Sequence, residues 1–352
     1  MVLRIPVISS IEGLGVAVRQ RLGLEASSCS AFQLVEIVDV PIPTQHAWHL
    51  DASQRQALHN AEFILADTDV GANLLLDRAH FLRQEDASML HKVKWVQSTY
   101  AGVERFFQLL SKRAAPPTFT LTRAGGIMHQ AMAQYVLGWI VALERRFLDV
   151  PAFQHEQNFA RDELKYRSFQ PLTVSILGFG DIGEGIGRLI KTAGFQVVGF
   201  KRRVSTEDTD RLQASTDRVS DDLDDVLSVA DFVVSVLPST METRGLLNLK
   251  RLEVCVEKKP VFINVGRGDV IKEDVLVTAL DQGLFSKAVL DVFENEPLPR
   301  ASRLWTHPLV LLTPHVSALS LAEDVADVFV KNLDRCLKQD PMLYQVDWSN
   351  GY

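Results

Sequence analysis

Cysteine is scarce in this chain. There are three in 352 residues, Cys29, Cys255 and Cys336, far apart and in no C-x-x-C spacing. Neither a disulfide framework nor a metal site is expected from them, and a reducing, cytoplasmic setting fits. No apolar run approaches the ~20 residues of a membrane-spanning helix. No apolar stretch with a cleavage site follows Arg4, so no targeting segment is expected either. Positive charge is not in excess. The 37 Lys and Arg face 44 Asp and Glu, a net charge of −7, which argues against nucleic acid or an anionic membrane as the main partner. Internal repeats and low-complexity segments are missing. What remains is a globular chain, 47% apolar and long enough for about two domains.

What is present is a strand, a glycine turn and a helix. Residues 173–177, Thr-Val-Ser-Ile-Leu, read as a strand, and Gly178, Gly180 and Gly183 follow at G-x-G-x-x-G spacing, with Asp181 and Ile182 inside the loop. Gly178 allows the tight turn, Gly180 lets the backbone approach a pyrophosphate, and Gly183 lets the helix pack on the strand. The helix N-terminus then offers free N–H groups to phosphates. This spacing after a strand and before a helix predicts a dinucleotide site. Where that unit's second strand ends, at about residue 200, an acidic residue would bind the ribose 2′-hydroxyl of NAD. Lys201, Arg202 and Arg203 stand there instead, and they suit the 2′-phosphate of NADP. NADP(H) is therefore the expected cofactor, with NAD(H) possible.

The rest of the chain alternates strands and helices, which predicts parallel sheets with helices on both faces. Residues 3–9, 35–40, 61–66 and 95–98 read as strands of a first domain. Residues 115–118 read as a hinge, 119–122 as a short strand, and 128–147 as a helix apolar on most faces and so buried on several sides. Residues 151–170 read as irregular. About six strands are expected between residues 171 and 314, the count of a full nucleotide domain. Three polar residues follow strands of that domain at one end: Arg267, Glu296 and His315. Reduction of a 2-oxo acid needs these types. Arginine binds the carboxylate, histidine moves the proton, and glutamate holds the imidazole and raises its pKa. Each also has an ordinary reading, as a surface, loop or capped structural residue. Asp291 ends another apolar run, and Tyr100 and Trp48 fit either a pocket or plain packing.

At these positions the chain resembles the D-isomer-specific 2-hydroxyacid dehydrogenases. The residues that carry the resemblance are Asn264-Val-Gly-Arg-Gly-Asp-Val-Ile-Lys-Glu-Asp, Leu290-Asp-Val-Phe-Glu-Asn-Glu-Pro-Leu298, Leu304-Trp-Thr-His-Pro, Thr313-Pro-His-Val-Ser-Ala318, Ser98-Thr-Tyr-Ala-Gly-Val103 and Leu237-Pro-Ser-Thr-Met-Glu-Thr243. The resemblance implies a Rossmann cofactor domain, residues 120–315, inserted into a flavodoxin-like substrate domain, residues 1–119 and 316–352. It implies Arg267 on the substrate carboxylate, His315 as acid/base and Glu296 orienting His315. Tyr100, Ala101 and Gly102 would line the substrate. Leu237, Pro238, Thr243, Val265 and Asp291 would line the cofactor, with Asp291 facing the nicotinamide carboxamide. A homodimer packed through the helix near residue 128 is implied, with Phe159 or Tyr166 reaching the partner's site as in some members. The chain departs from the family pattern at Gln134, Glu104 and Asp181. The expected activity is reduction of glyoxylate, hydroxypyruvate or a similar 2-oxo acid to the D-2-hydroxy acid. The alternatives are NAD-dependent oxidation and an NAD(H)-sensing protein like the corepressors that share this fold.

Overall fold

The computed structural model describes residues 2–23, 34–44, 48–78, 88–111, 116–167, 171–204 and 212–349. Cys29, Phe169, residue 115 of the expected hinge and the stretch 45–47 lie outside the described residues. Two compact units are present, Met1–Ile127 with Ser320–Tyr352, and Met128–Leu319. These bounds lie beyond the expected divisions at 119/120 and 315/316 for a local reason at each end. The strand Thr120–Thr122 pairs with Trp95–Ser98 in the first sheet. Val316 and Ser317 are hydrogen-bonded to Asp291 in the second unit.

The first unit is built on five parallel strands: β1 (Leu3–Ile8), β2 (Val35–Asp39), β3 (Phe63–Ala66), β4 (Trp95–Ser98) and β5 (Thr120–Thr122), in the order β2-β1-β3-β4-β5. Successive side chains of a strand point to opposite faces. Accordingly Phe63 and Leu65 pack with Val18 and Phe329, and Ile64 and Ala66 pack with Leu74 and Phe106. Both faces are covered there, and β3, Phe-Ile-Leu-Ala and buried throughout, is a continuous apolar run for that reason. The order reverses between β1 and β3, and such a switch point is where sheets of this kind carry ligands.

The second unit has seven parallel strands: β6 (Thr173–Leu177), β7 (Gln196–Phe200), β8 (Arg218–Ser220), β9 (Phe232–Ser235), β10 (Val261–Asn264), β11 (Lys287–Leu290) and β12 (Val310–Leu312). Their order is β12-β11-β10-β9-β6-β7-β8. One more strand is present than the sequence suggested. β8 is three residues long, lies at the edge and has no apolar run to mark it. Val174, Ile176, Phe232, Val234, Ile263 and Val289 pack against the helices His129–Glu144 and Asp181–Thr192. Leu177, Val233, Phe262, Ala288 and Leu290 pack against the opposite layer.

Two further expectations change. The helix His129–Glu144 buries one face, through Ala133, Val136 and Ile140, and its Gln134 and Gly138 are exposed in the chain by itself. The stretch expected to be irregular contains the helix Val150–His155, with proline in its first turn. Proline is tolerated there because that N–H has no helical partner to lose. Among the described residues no helix is long and apolar enough to cross a membrane.

Candidate active site

In the second sheet Leu177, Ser235, Asn264, Leu290 and Leu312 stand in register. The turns that follow them therefore emerge side by side at the carboxyl edge. All the site residues expected in this unit belong to those turns, to the end of β7 or to the stretch that follows β11.

The turn after β6 enters the helix Asp181–Thr192. Gly178 has φ +100°, a backbone region that side chains with a Cβ rarely adopt. Nothing lies within 4 Å of where a Cβ on Gly180 would sit, whereas a Cβ on Gly183 would fall 2.2 Å from the Gly178 carbonyl oxygen. The loop is thus open at Gly180 and closed at Gly183, as approach by a pyrophosphate requires. Asp181 is exposed in the first helical turn, where an acid is favoured by the helix dipole, and Ile182 follows it half-buried. Lys201, at the end of β7, bonds through its N–H to the Ser220 carbonyl, and Arg202 and Arg203 are exposed. An Arg202 Nη1 lies 3.9 Å from Glu242 on the turn after β9. That turn holds Leu237, Pro238 and Thr243, and the Thr243 hydroxyl donates to the Pro238 carbonyl at 2.5 Å.

Arg267 sits between two glycines after the buried Val265. A Cβ on Gly266 would meet the Leu237 backbone at 2.7 Å, and one on Gly268 would meet Phe293 at 1.9 Å. Two neighbouring turns therefore press on the arginine turn from either side. Buried Asn264 shapes the same turn, donating to the Arg267 carbonyl at 3.0 Å and accepting from the Gly266 N–H at 3.2 Å.

His315 Nδ1 is 2.8 Å from Glu296 Oε2, and Glu296 Oε1 accepts the Phe293 N–H at 2.9 Å. The Glu296 hydrogen bond raises the His315 pKa above the ordinary imidazole value. Burial and the Arg267 charge oppose that rise without cancelling it, while the charges of Glu296 and Asp291 add to it. Burial pushes the Glu296 carboxyl up, but the bonds from His315 and the Phe293 N–H, with the His315 and Arg267 charges, bring it below the ordinary range. The two directions agree: the ion pair is favoured. By linkage, its stabilisation is full between the ordinary carboxylate and imidazole pKa values, is lost as pH rises through the raised imidazole value, and is lost as pH falls through the lowered carboxylate value.

Asp291 has partners the sequence did not reveal. The resemblance would turn it toward a nicotinamide carboxamide. Its carboxylate is fully buried and holds the turn that carries His315. The His315 N–H donates to the Asp291 carbonyl at 2.8 Å, the Val316 N–H to Oδ1 at 2.9 Å and the Ser317 N–H to Oδ2 at 2.8 Å. The Thr313 hydroxyl also donates to Oδ1 at 2.5 Å, and Tyr135 Oη lies 2.5 Å from that hydroxyl. His315 has φ +55°, uncommon for a residue with a Cβ, and these bonds hold it there.

Tyr100, Ala101 and Gly102 belong to the first unit, just past β4. Tyr100 is 38% exposed. The carbonyl of Tyr100 accepts the Ala124 N–H at 3.1 Å, and that of Gly102 accepts the Thr68 hydroxyl at 2.8 Å. The N–H groups of Ala101 and Gly102 make no hydrogen bond among the described residues. Trp48 is a core residue, its indole N–H donating to the Pro41 carbonyl at 2.7 Å.

Residues 137–317 match the family model described as "D-isomer specific 2-hydroxyacid dehydrogenase, NAD binding domain". The chain is 30% identical over 265 residues to glyoxylate/hydroxypyruvate reductase A of Escherichia fergusonii, covering 74% of this chain and 82% of that protein. Among solved structures, a D-isomer-specific 2-hydroxyacid dehydrogenase from Xanthobacter autotrophicus Py2, in complex with NADPH and MES, superposes with a TM-score of 0.75 at 27% identity, over 99% of each chain. An NADPH-dependent glyoxylate/hydroxypyruvate reductase from Sinorhizobium meliloti, in complex with NADP and sulfate, gives 0.73 at 25% identity, over 99% of this chain and 100% of that one.

Proposed function

The chain belongs to the D-isomer-specific 2-hydroxyacid dehydrogenase family and is an oxidoreductase, and from this premise we propose that it is an NADPH-preferring reductase of a small 2-oxo acid such as glyoxylate or hydroxypyruvate. The observation that carries this reading is the His315–Glu296 pair at 2.8 Å, whose hydrogen bond favours the protonated imidazole against the opposing charge of Arg267. With Nδ1 engaged by Glu296, Nε2 delivers the proton to the carbonyl oxygen of the substrate. Arg267 binds the substrate carboxylate through its planar fork, and in the first unit the N–H groups of Ala101 and Gly102 are donors suited to a carboxylate. The hydride for the carbonyl carbon would come from NADPH held by the glycine turn and the cations at 201–203, giving the D-2-hydroxy acid. Gly178, Gly180, Asp181, Ile182 and Gly183 frame the pyrophosphate. Leu237, Pro238, Thr243 and Val265 line the cofactor groove, and Asp291 supports its nicotinamide end by fixing the His315 turn. A homodimer and a cytoplasmic location complete the reading.

The cofactor preference rests on Lys201, Arg202 and Arg203 standing where an acid would select NAD. Replacing Arg202 and Arg203 with glutamine is expected to raise the KM for NADPH by about 30- to 100-fold, the loss of two charged hydrogen bonds to a phosphate. The KM for NADH should move by no more than about twofold, since NADH lacks that phosphate. Parallel titrations with both cofactors check this, and equal weakening would remove the 2′-phosphate argument.

The pH dependence follows from the raised imidazole pKa. Reduction uses the protonated form, so kcat is full at low pH and falls as pH rises through the raised value. Glu296→Gln keeps a hydrogen-bond acceptor but removes the charge. It should move that basic limb to lower pH and reduce kcat near neutrality by about tenfold. A kcat–pH profile of the variant that overlays the wild type would contradict the assignment of Glu296.

A further inference from the structure

Three strand ends of the first sheet stand abreast. Ile8 of β1, Ala66 of β3 and Ser98 of β4 are in register. The next residue of each strand is therefore beside the next residue of its neighbours: Ser9, Asp67 and Thr99. Asp67 is 6% exposed, and both its oxygens are saturated. Oδ1 accepts the Ser9 and Thr99 hydroxyls, each at 2.6 Å. Oδ2 accepts the Ser10 N–H at 2.8 Å and the Ser10 hydroxyl at 2.7 Å. A carboxylate is rarely buried without such partners, because desolvating its charge is expensive. Among the described residues no cation supplies the compensation here. Four donors do, and a polar group satisfied this fully is rigid.

The cage lies at the switch point of the sheet, and Thr99 leads directly into the loop 98–102. A second set of bonds fixes that loop from below. Thr68, next to Asp67, has its Oγ1 2.6 Å from Ser98 Oγ and donates to the Gly102 carbonyl, while the Tyr100 N–H donates to Ser98 Oγ at 3.2 Å. The carbonyls of Tyr100 and Gly102 are thus occupied, and the N–H groups of Ala101 and Gly102 have no partner among the described residues. An anionic substrate would be repelled by a bare carboxylate so close by, and the four donors offset that charge locally.

We infer that Asp67 is a positioning residue for the substrate loop: through Ser9, Ser10 and Thr99 it holds the backbone from Tyr100 to Gly102 in the shape that presents two N–H groups to a substrate carboxylate. The inference rests on the proposed function. Asp67 touches neither substrate nor cofactor, so its loss is read in substrate binding and not in the proton step. In Asp67→Asn one acceptor oxygen becomes an amide NH2 and the charge is lost, so the hydroxyls of Ser9 and Thr99 keep their contacts only by turning round to accept, and the charge-assisted cage is weakened.

The test is steady-state kinetics of the full chain with NADPH and glyoxylate or hydroxypyruvate, whichever the wild type turns over faster. Asp67→Asn should raise the KM for the 2-oxo acid about tenfold or more, because a small misplacement of a binding loop is felt steeply. The KM for NADPH should stay within about twofold and the kcat–pH profile should keep its midpoint, since His315 is untouched. Thr99→Val should give the same split at smaller size, and Thr99→Ser, which restores the hydroxyl, should return it to wild type. The Thr99 pair decides the matter if Asp67→Asn does not fold. An unchanged KM for the 2-oxo acid, a fall confined to kcat, or equal losses for substrate and cofactor would overturn the role given to Asp67. A wild-type chain that turns over neither 2-oxo acid would overturn the proposed function itself, and this inference with it.

Discussion

Replacing His315 with alanine is expected to lower the rate of 2-oxo acid reduction by about 10³-fold, within the range general acid catalysis contributes. The affinity for NADPH should change by no more than about twofold, because no cofactor contact is assigned to the imidazole. The structural argument for so clean a separation lies in the turn. The backbone at 315–317 is held by Asp291, through its carbonyl and both carboxylate oxygens, and not by the imidazole. The His315 side chain is about half exposed, so little packing is lost with it. Among the described residues the imidazole bonds to Glu296, which keeps a second bond to the Phe293 N–H when the imidazole is gone. Turnover measured under NADPH saturation, with cofactor binding followed by fluorescence, separates the two effects. A variant that retained turnover within tenfold of the wild type would falsify the assignment of the proton donor.

The second large effect concerns Arg267. Arg267→Ala is expected to reduce kcat/KM for a 2-oxo acid by about 10²- to 10³-fold, since it removes a bidentate charged partner from the substrate carboxylate. The glycines on either side already fix the backbone by contact with Leu237 and Phe293, so the change is confined to the side chain. Arg267→Lys should recover part of the loss, because lysine restores the charge but not the planar fork. An uncharged substrate such as glyoxylamide provides the control. It lacks the carboxylate, so the arginine-to-alanine penalty should shrink to about tenfold or less with it. An equal penalty for the acid and the amide would show that Arg267 acts on something other than the carboxylate.

Much of this site was legible because the chain marks it by position. Gly178, Arg267 and His315 each follow an apolar strand by one to three residues, and a parallel sheet brings such positions together at one edge. Glu296 stands further along, but it is three residues from Phe293, and its carboxylate accepts that N–H. The glycines needed no alignment to interpret either: a positive φ at Gly178 and contacts on both sides of Arg267 are local requirements.

What stayed hidden depends on contacts between distant segments. Asp291 reads as the ordinary end of a strand until the turn at 313–317 is seen to close over it. Asp67, Ser9 and Thr99 are separated by dozens of positions and are unremarkable singly; only the register of β1, β3 and β4 sets them abreast. The strand β8 has too few apolar residues to announce itself, and β5 sits so near the hinge that its sheet was not evident. The helix His129–Glu144 has apolar residues all round, but only one face is covered within the chain.

The central claim joins a cofactor to a substrate, so one comparison tests it most directly. Initial rates of NADPH and NADH oxidation with glyoxylate and with hydroxypyruvate should show turnover of at least one acid, with kcat/KM for NADPH above that for NADH. Absence of turnover with both acids, or a preference for NADH, would contradict the account.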